Sequence, residues 1–357
     1  MYKYILSIAL YFSFFHPAIS QPIFPINDVS DPKEKAYAFI NATIFSDYQT
    51  RIDNATLLIK KGKVVAVGSD INISEEYFII DLEHKYIYPS FIDPYTNYGL
   101  KEEKKKATGS AFTQKEQIES LINGAYNANE AIKSDYKAAH HFSIDKKTAS
   151  TFREAGFGSV LTYRADGLAR GNGALVALSD KSDNIALLND NASAHFSFSK
   201  GSSKQMYPIS PMGFIALLRQ SYINAAWYAA QDPPPFTDIS LEGWINSRPL
   251  PQIFDTDGWL EILRADKLGD EFGVQYIIKG GGDEYQRIDD VKKTGAVLII
   301  PINFPYAYDI SDPFDAKSIS LAQMKHWEMA PSNPATLEKN NIEFCFTSQG
   351  LKSPAQF

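Results

Sequence analysis

The side chains best suited to chemistry are scarce in this sequence, and few are spaced to act together. It has six histidines and one cysteine. His140 and His141 are adjacent, so on a helix their rings diverge instead of converging on one ion. His16 lies in the N-terminal apolar stretch and His84 in the polar turn Glu83-His84-Lys85. His195 and His326 stand alone, and each reads as a hydrogen-bonded structural residue. Asp255 and Asp257 are two apart and share one face of a strand. Together they offer oxygen to a hard cation, although solvated loop acids are the simpler reading. Lys279-Gly280-Gly281-Gly282-Asp283 precedes a helical stretch. Such a loop can cradle an anion with backbone N–H groups, but no Walker-type lysine and hydroxyl follow the glycines. The favoured reading is therefore a strand-to-helix turn with Asp283 as N-cap. No Gly-x-Ser-x-Gly elbow is present, and no pair of carboxylates stands out for glycoside chemistry. Cys345, within Ile342-Glu343-Phe344-Cys345-Phe346, reads as a buried, inert thiol.

The elements that must position these residues fall into distinct zones. Met1-Tyr2-Lys3, an apolar run to Phe15 and Ala18-Ile19-Ser20 have the form of a signal peptide, residues 1–20, cleaved before Gln21. The run is shorter than the roughly 20 residues that cross a bilayer. Export to a periplasmic or extracellular space is expected, with no membrane span after cleavage. Residues 21–35, rich in Pro, Asp and Lys, read as a surface leader. Residues 36–88 hold short β-rich runs, including a hairpin across Lys60-Lys61-Gly62-Lys63. From Phe91 onward strands alternate with helices, the pattern of βα units in an α/β fold with a parallel sheet. Expected strands include Gly156 to Tyr163, Ala174 to Leu178, Ile253-Phe254, Gln275 to Ile278, Ala296 to Ile300 and Glu343 to Phe346. A net charge of −7 and a pI near 5.5 give no field that attracts nucleic acid.

One block is more specific. The run Asn41-Ala42-Thr43-Ile44, then Leu57-Leu58-Ile59-Lys60-Lys61-Gly62-Lys63-Val64-Val65-Ala66-Val67-Gly68, then Ile87-Tyr88-Pro89-Ser90-Phe91-Ile92-Asp93 resembles the amidohydrolase superfamily, imidazolonepropionase-like branch. Ala155-Gly156-Phe157-Gly158-Ser159-Val160 resembles that family's second barrel strand. The resemblance runs from about residue 36 to 349. It implies a (β/α)₈ TIM-like barrel, residues 89–357 with an incomplete C-terminal end, and a small N-terminal β-sandwich segment, residues 36–88. In the family, a His-x-His pair on the first strand, histidines on the fifth and sixth, and an aspartate on the eighth hold Zn²⁺ or a similar ion that activates water.

Here the positions that align with those ligands are Tyr95, Asn97, Phe254, Gly280 and Gln349, none a strong ligand at neutral pH. The resemblance therefore implies a degenerate metal site, no cofactor and no catalytic residue: a pseudoenzyme acting as scaffold or binding module of a larger exported protein. A C-terminal amidohydrolase domain or partner chain is the expected companion, and the small-molecule ligand is unknown. The alternative is a zinc-dependent hydrolase of non-peptide or cyclic amide C–N bonds, using atypical ligands or a second intact domain. A third reading is a periplasmic solute-binding module with an apolar pocket. Barrel sites form at the C-terminal ends of strands, so the expected mouth residues are Tyr95, Asn97, Arg164, Asp255, Asp257, Lys279, Asn303 and Gln349.

Overall fold

In the computed structural model the described residues are 35–101 and 117–357. The expected signal peptide, nearly all of the leader and most of the charge run at residues 101–106 lie outside them. The chain divides between Pro89 and Ser90 into two units.

The first unit is a five-stranded sheet: β1 (Ala36–Phe45), β2 (Arg51–Lys60), β3 (Lys63–Gly68), β4 (Phe78–Asp81) and β5 (Tyr86–Ile87). The β2–β3 hairpin turns on Lys61 and Gly62, both at positive φ, as a tight hairpin turn of matching twist demands. β1 pairs antiparallel with β2 and parallel with both β4 and β5. Ala42, Ile44, Ala55 and Leu57 form its buried core. The expected sandwich is corrected here to one sheet, because every described strand of this unit joins the same hydrogen-bonded ladder.

The second unit holds an eight-stranded sheet in strict chain order: β6 (Phe91–Thr96), β7 (Phe157–Thr162), β8 (Ala169–Ala177), β9 (Leu187–Ser197), β10 (Gln252–Asp255), β11 (Ile277–Lys279), β12 (Leu298–Pro301) and β13 (Phe344–Thr347). It curls into a nearly closed barrel, with β13 returning beside β6. The other strands share one direction, as expected, but β8 runs antiparallel to both β7 and β9. A parallel return needs a crossover of a dozen or more residues. Residues 163–168 are too few for that, so β7 turns straight back into β8. The expectation of a regular (β/α)₈ barrel is corrected accordingly.

Packing follows the alternation of side chains along each strand. Tyr95, Tyr163, Ile253 and Ile299 point into the barrel. Phe196, Phe254, Tyr276 and Trp244 join an outer layer with Leu218, Tyr222 and Ile262 of the surrounding helices. Its rings meet at centroid distances of 5.2 Å for Phe196–Trp244 and 5.1 Å for Phe254–Tyr276, within the range of favourable aromatic pairs. Helices begin where the sequence supplies caps. Ser210 Oγ accepts from Gly213 N ahead of Pro211–Ala229, and the Asp145 carboxylate accepts from Lys147 N and Thr148 N ahead of Lys146–Glu154.

The first and eighth strands are joined by a side chain. Asp93 is wholly buried. Its Oδ1 accepts from Tyr95 N at 3.1 Å and from Thr347 Oγ1 at 2.7 Å. Its Oδ2 accepts from Ser348 N at 2.8 Å and from Ser348 Oγ.

Candidate functional site at the barrel mouth

Reversal of β8 puts the start of that strand, not its end, at the mouth, and there Arg170 reaches inward. Its Nη1 donates to Asp255 Oδ2 at 2.8 Å and to Tyr95 OH at 3.1 Å. Its Nε donates to Gly167 O at 3.2 Å. Lys279 Nζ approaches the other Asp255 oxygen at 3.4 Å. Side-chain exposure is 6% for Arg170, 18% for Asp255 and 13% for Lys279, so water screens these charges little. Burial pulls the Arg170 pKa down, but Tyr95 and Asp255 beside it more than reverse this, and the guanidinium stays charged.

Behind this network the interior is aromatic. Tyr95 and Tyr163 lie with centroids 4.3 Å apart, and the His195 ring stacks on Tyr163 at 4.2 Å and 6°. Burial pushes the phenols of Tyr95 and Tyr163 well above the ordinary tyrosine range. His195 Nε2 lies 2.8 Å from Ser193 Oγ. Gly173 makes room for that pair, since a Cβ there would stand 2.6 Å from Ser193 Oγ and 2.7 Å from His195 Nε2. Burial, then the Arg170 charge, lowers the His195 pKa well below its ordinary value.

His195 therefore stays neutral in the fold while its unfolded counterpart takes up a proton below about pH 6.5. Between that value and its depressed folded pKa, the unfolded state binds one more proton. Stability should fall with decreasing pH there by about 1.4 kcal/mol per pH unit from this group. His195→Phe should flatten the urea-unfolding profile across that window; an unchanged slope would refute a neutral buried imidazole.

Above the network lies a cavity of ≈310 Å³, lined by Tyr95, Thr96, Asn97, Tyr163, Ser348 and Gln349 with Phe152, Leu351 and Pro354. The structure thus brings together Tyr95, Asn97 and Gln349 at the cavity and Tyr95, Asp255 and Lys279 in the ion network. Asn303 packs against Gly350, itself a lining residue, where a Cβ would come within 2.4 Å of Asn303 Nδ2. Asp257 is exposed beyond the end of β10, its N–H donating to Glu261. Arg164 lays its guanidinium over the Tyr136 ring at 3.7 Å. Asp255 is not a solvated loop acid, because Arg170 and Lys279 pair with it inside the barrel.

Two aligned positions do not face this interior as ligands. Phe254 belongs to the outer aromatic layer, 4.6 Å from Phe198, because the inward positions on β10 are Ile253 and Asp255. Gly280 sits against Glu284, whose Oε1 a Cβ at residue 280 would meet. Glu284 is fully buried, accepts from Gly282 N at 3.1 Å and receives Asn333 Nδ2. A carboxylate of the protein thus occupies the glycine loop. Asp283 caps the neighbouring helix Trp259–Phe272, accepting from Trp259 N at 2.8 Å, and makes no cap bond to the helical turn that follows it. Cys345 is exposed, contrary to the expected burial. His326 bonds Tyr285 OH at 3.1 Å, as a structural histidine would.

Sequence reasoning assigns no role to Arg170 or to the Asp93 side chain. A lone arginine within Gly167-Leu168-Ala169-Arg170-Gly171, among small and apolar neighbours, is the signal that marks it as buried and paired.

Among the described residues no three His, Cys, Asp or Glu side chains converge as a cation site. No protein-family profile matches the chain, and no curated protein matches its sequence. Among solved structures, an amidohydrolase from Thermotoga maritima MSB8 is similar, with a TM-score of 0.66 and 18% identity over 90% of this chain and 80% of that one. A prolidase complexed with N-methylphosphonate-L-proline aligns at 0.44 and 12% identity, over 88% and 78% of the two chains. A Xaa-Pro dipeptidase with bound methionine aligns at 0.42 and 13%, over 88% and 80%. Those two scores are too low to bear on the architecture. With its eight-stranded barrel sheet and its N-terminal sheet, the chain shares the fold of that Thermotoga amidohydrolase.

Proposed function

We propose that this chain is a non-catalytic, metal-free module of the amidohydrolase fold that binds a small molecule at the barrel mouth, within a larger exported protein. The observation that carries this reading is Arg170. Its guanidinium touches Tyr95, the residue aligned with the family's first ligand, and pairs with Asp255, the inward carboxylate of the fifth strand. Lys279 adds a second cation on the same carboxylate. Two unit charges 4 Å apart interact by about 4 kcal/mol at an effective dielectric constant of 20, and a dication doubles that repulsion. His195 is oriented on Ser193 beside the same guanidinium. These residues do not fit a hydrolytic metal, which needs about three protein ligands and an open position for water.

With no metal to activate water, the family's hydrolysis has no counterpart here, and what is left is a cavity lined by hydroxyl, phenol and amide groups together with apolar ones. Export rests on the N-terminal sequence alone. Elemental analysis of protein made in zinc- and manganese-supplemented medium is expected to find far less than one equivalent of metal. Near-stoichiometric metal that disappears in the Asp255→Ala, Asp257→Ala double variant would establish the rival, a metal-dependent hydrolase of amide C–N bonds using unusual ligands.

A further inference from the structure

A second cavity, sharing no lining residue with the one at the barrel mouth, has a different chemistry. It measures ≈470 Å³ and is walled by residues 124–128, by Asn224 and Trp227 of the helix Pro211–Ala229, and by residues 236–238 with Leu241 at the start of the helix Ile239–Ser247. Its volume falls within the range of small-molecule sites. The wall is built and held in place. Gly124 sits at φ +124, where a Cβ would crowd the Tyr126 ring at 2.9 Å. Ile239 N donates to Ala125 O at 2.8 Å and Asn127 N donates to Ser240 Oγ at 3.2 Å.

Three aromatic rings line the space: Tyr126, Trp227 and Phe236, exposed by 43%, 48% and 52%. Trp227 and Phe236 lie nearly parallel, 6.2 Å apart and 27° inclined. Exposed aromatic faces concentrated on one concave surface are uncommon unless they meet something. The charge beside them is negative. Asp238, only 9% exposed, uses Oδ1 to accept from Ser240 N at 3.0 Å and Leu241 N at 2.9 Å. That leaves Oδ2 without a hydrogen bond among the described residues. Asp135 and Glu242 lie close enough to act on it through their charge, and burial together with these two carboxylates raises its pKa. Among the described residues none of the three acids has an ion pair, and no lysine or arginine lines the cavity.

We propose that this cavity binds an organic cation, an alkylated ammonium group held against the Trp227, Phe236 and Tyr126 faces with the Asp238 carboxylate as its counter-charge. Aromatic rings present negative potential on their faces and attract such cations more strongly once water is displaced. An anion would face the carboxylates with no cation among the described residues lining the cavity to hold it. A purely apolar ligand would cover Asp238 Oδ2 and give it no partner, since only Oδ1 is held by the helix N–H groups. The inference is independent of the reading of the barrel mouth.

The test uses choline and its uncharged tert-butyl isostere as probes on the whole chain, followed by tryptophan fluorescence and calorimetry. Choline should bind saturably, and the isostere about tenfold or more weaker. Trp227→Ala should weaken choline by about tenfold, as should Asp238→Asn, a difference of about 1.4 kcal/mol in each case. Asparagine remains a good N-cap, so the second variant keeps its fold. Asp257→Asn at the barrel mouth should leave choline binding unchanged. Equal affinity for the two probes, insensitivity to both cavity variants, or no saturable binding of choline up to tens of millimolar would overturn the proposal.

Discussion

Asp93→Ala is expected to cost about 3–5 kcal/mol of unfolding free energy, the sum of two or more buried donors left without an acceptor at about 1–3 kcal/mol each. The Tyr95 and Ser348 N–H groups lose their carboxylate partner outright, while Thr347 Oγ1 can still turn to Tyr95 O, 3.0 Å away. Bulk water cannot substitute for this carboxylate, because the residue is fully buried. Asp93→Asn keeps one acceptor oxygen but sets an amide N–H against Ser348, and should lose roughly half as much. Urea denaturation of the two variants beside the parent measures both. A loss under about 1 kcal/mol for Asp93→Ala would show that the β6–β13 seam is held by something else.

Arg170→Met should be nearly as damaging, at about 3 kcal/mol, by the rule that removing one partner of a buried pair leaves the other charge uncompensated. Lys279 moderates the cost, since its ammonium is 3.4 Å from the other oxygen of Asp255. The informative comparison is the double variant Arg170→Met with Asp255→Leu. Replacing both members by apolar groups removes the stranded charge and is expected to recover most of the loss. If the single variant unfolds at the parent's urea midpoint, Asp255 is not stranded by the loss of Arg170 and the pair at the barrel mouth has little energetic meaning.

The outline of the fold is legible in the sequence because hydrophobic periodicity and caps are local. The strand within Gly156 to Tyr163 and the Lys61-Gly62 hairpin both stand close to where their residues place them. Topology decided by connection length is not local in this way. β9 carries Asn189-Asp190-Asn191-Ala192-Ser193-Ala194-His195, whose polarity hides a strand that is exposed at its start and buried at its end. With β9 hidden, the reversal of β8 cannot be inferred, and Arg170 reads as part of a loop. Site geometry is harder still. An alignment can put Phe254 beside a ligand position, but a one-residue difference in register sends a side chain to the opposite face of a strand. The Glu284 carboxylate under the glycine loop is likewise a contact that only the folded chain reveals.

The way the barrel closes also favours an order of assembly. The β8–β9 hairpin pairs Gly173 with Ser193, a short span of chain. Asp93 and Thr347 are separated by 254 residues. Loop-closure entropy grows with the logarithm of span, so the seam costs about 2 kcal/mol more to close than the hairpin before any contact rewards it. Closure of the seam is therefore favoured once the intervening strands have shortened the effective loop. The meander of β7, β8 and β9 is the natural starting point for that shortening, and the reversed strand that carries Arg170 to the mouth also lowers the kinetic cost of building the barrel around it.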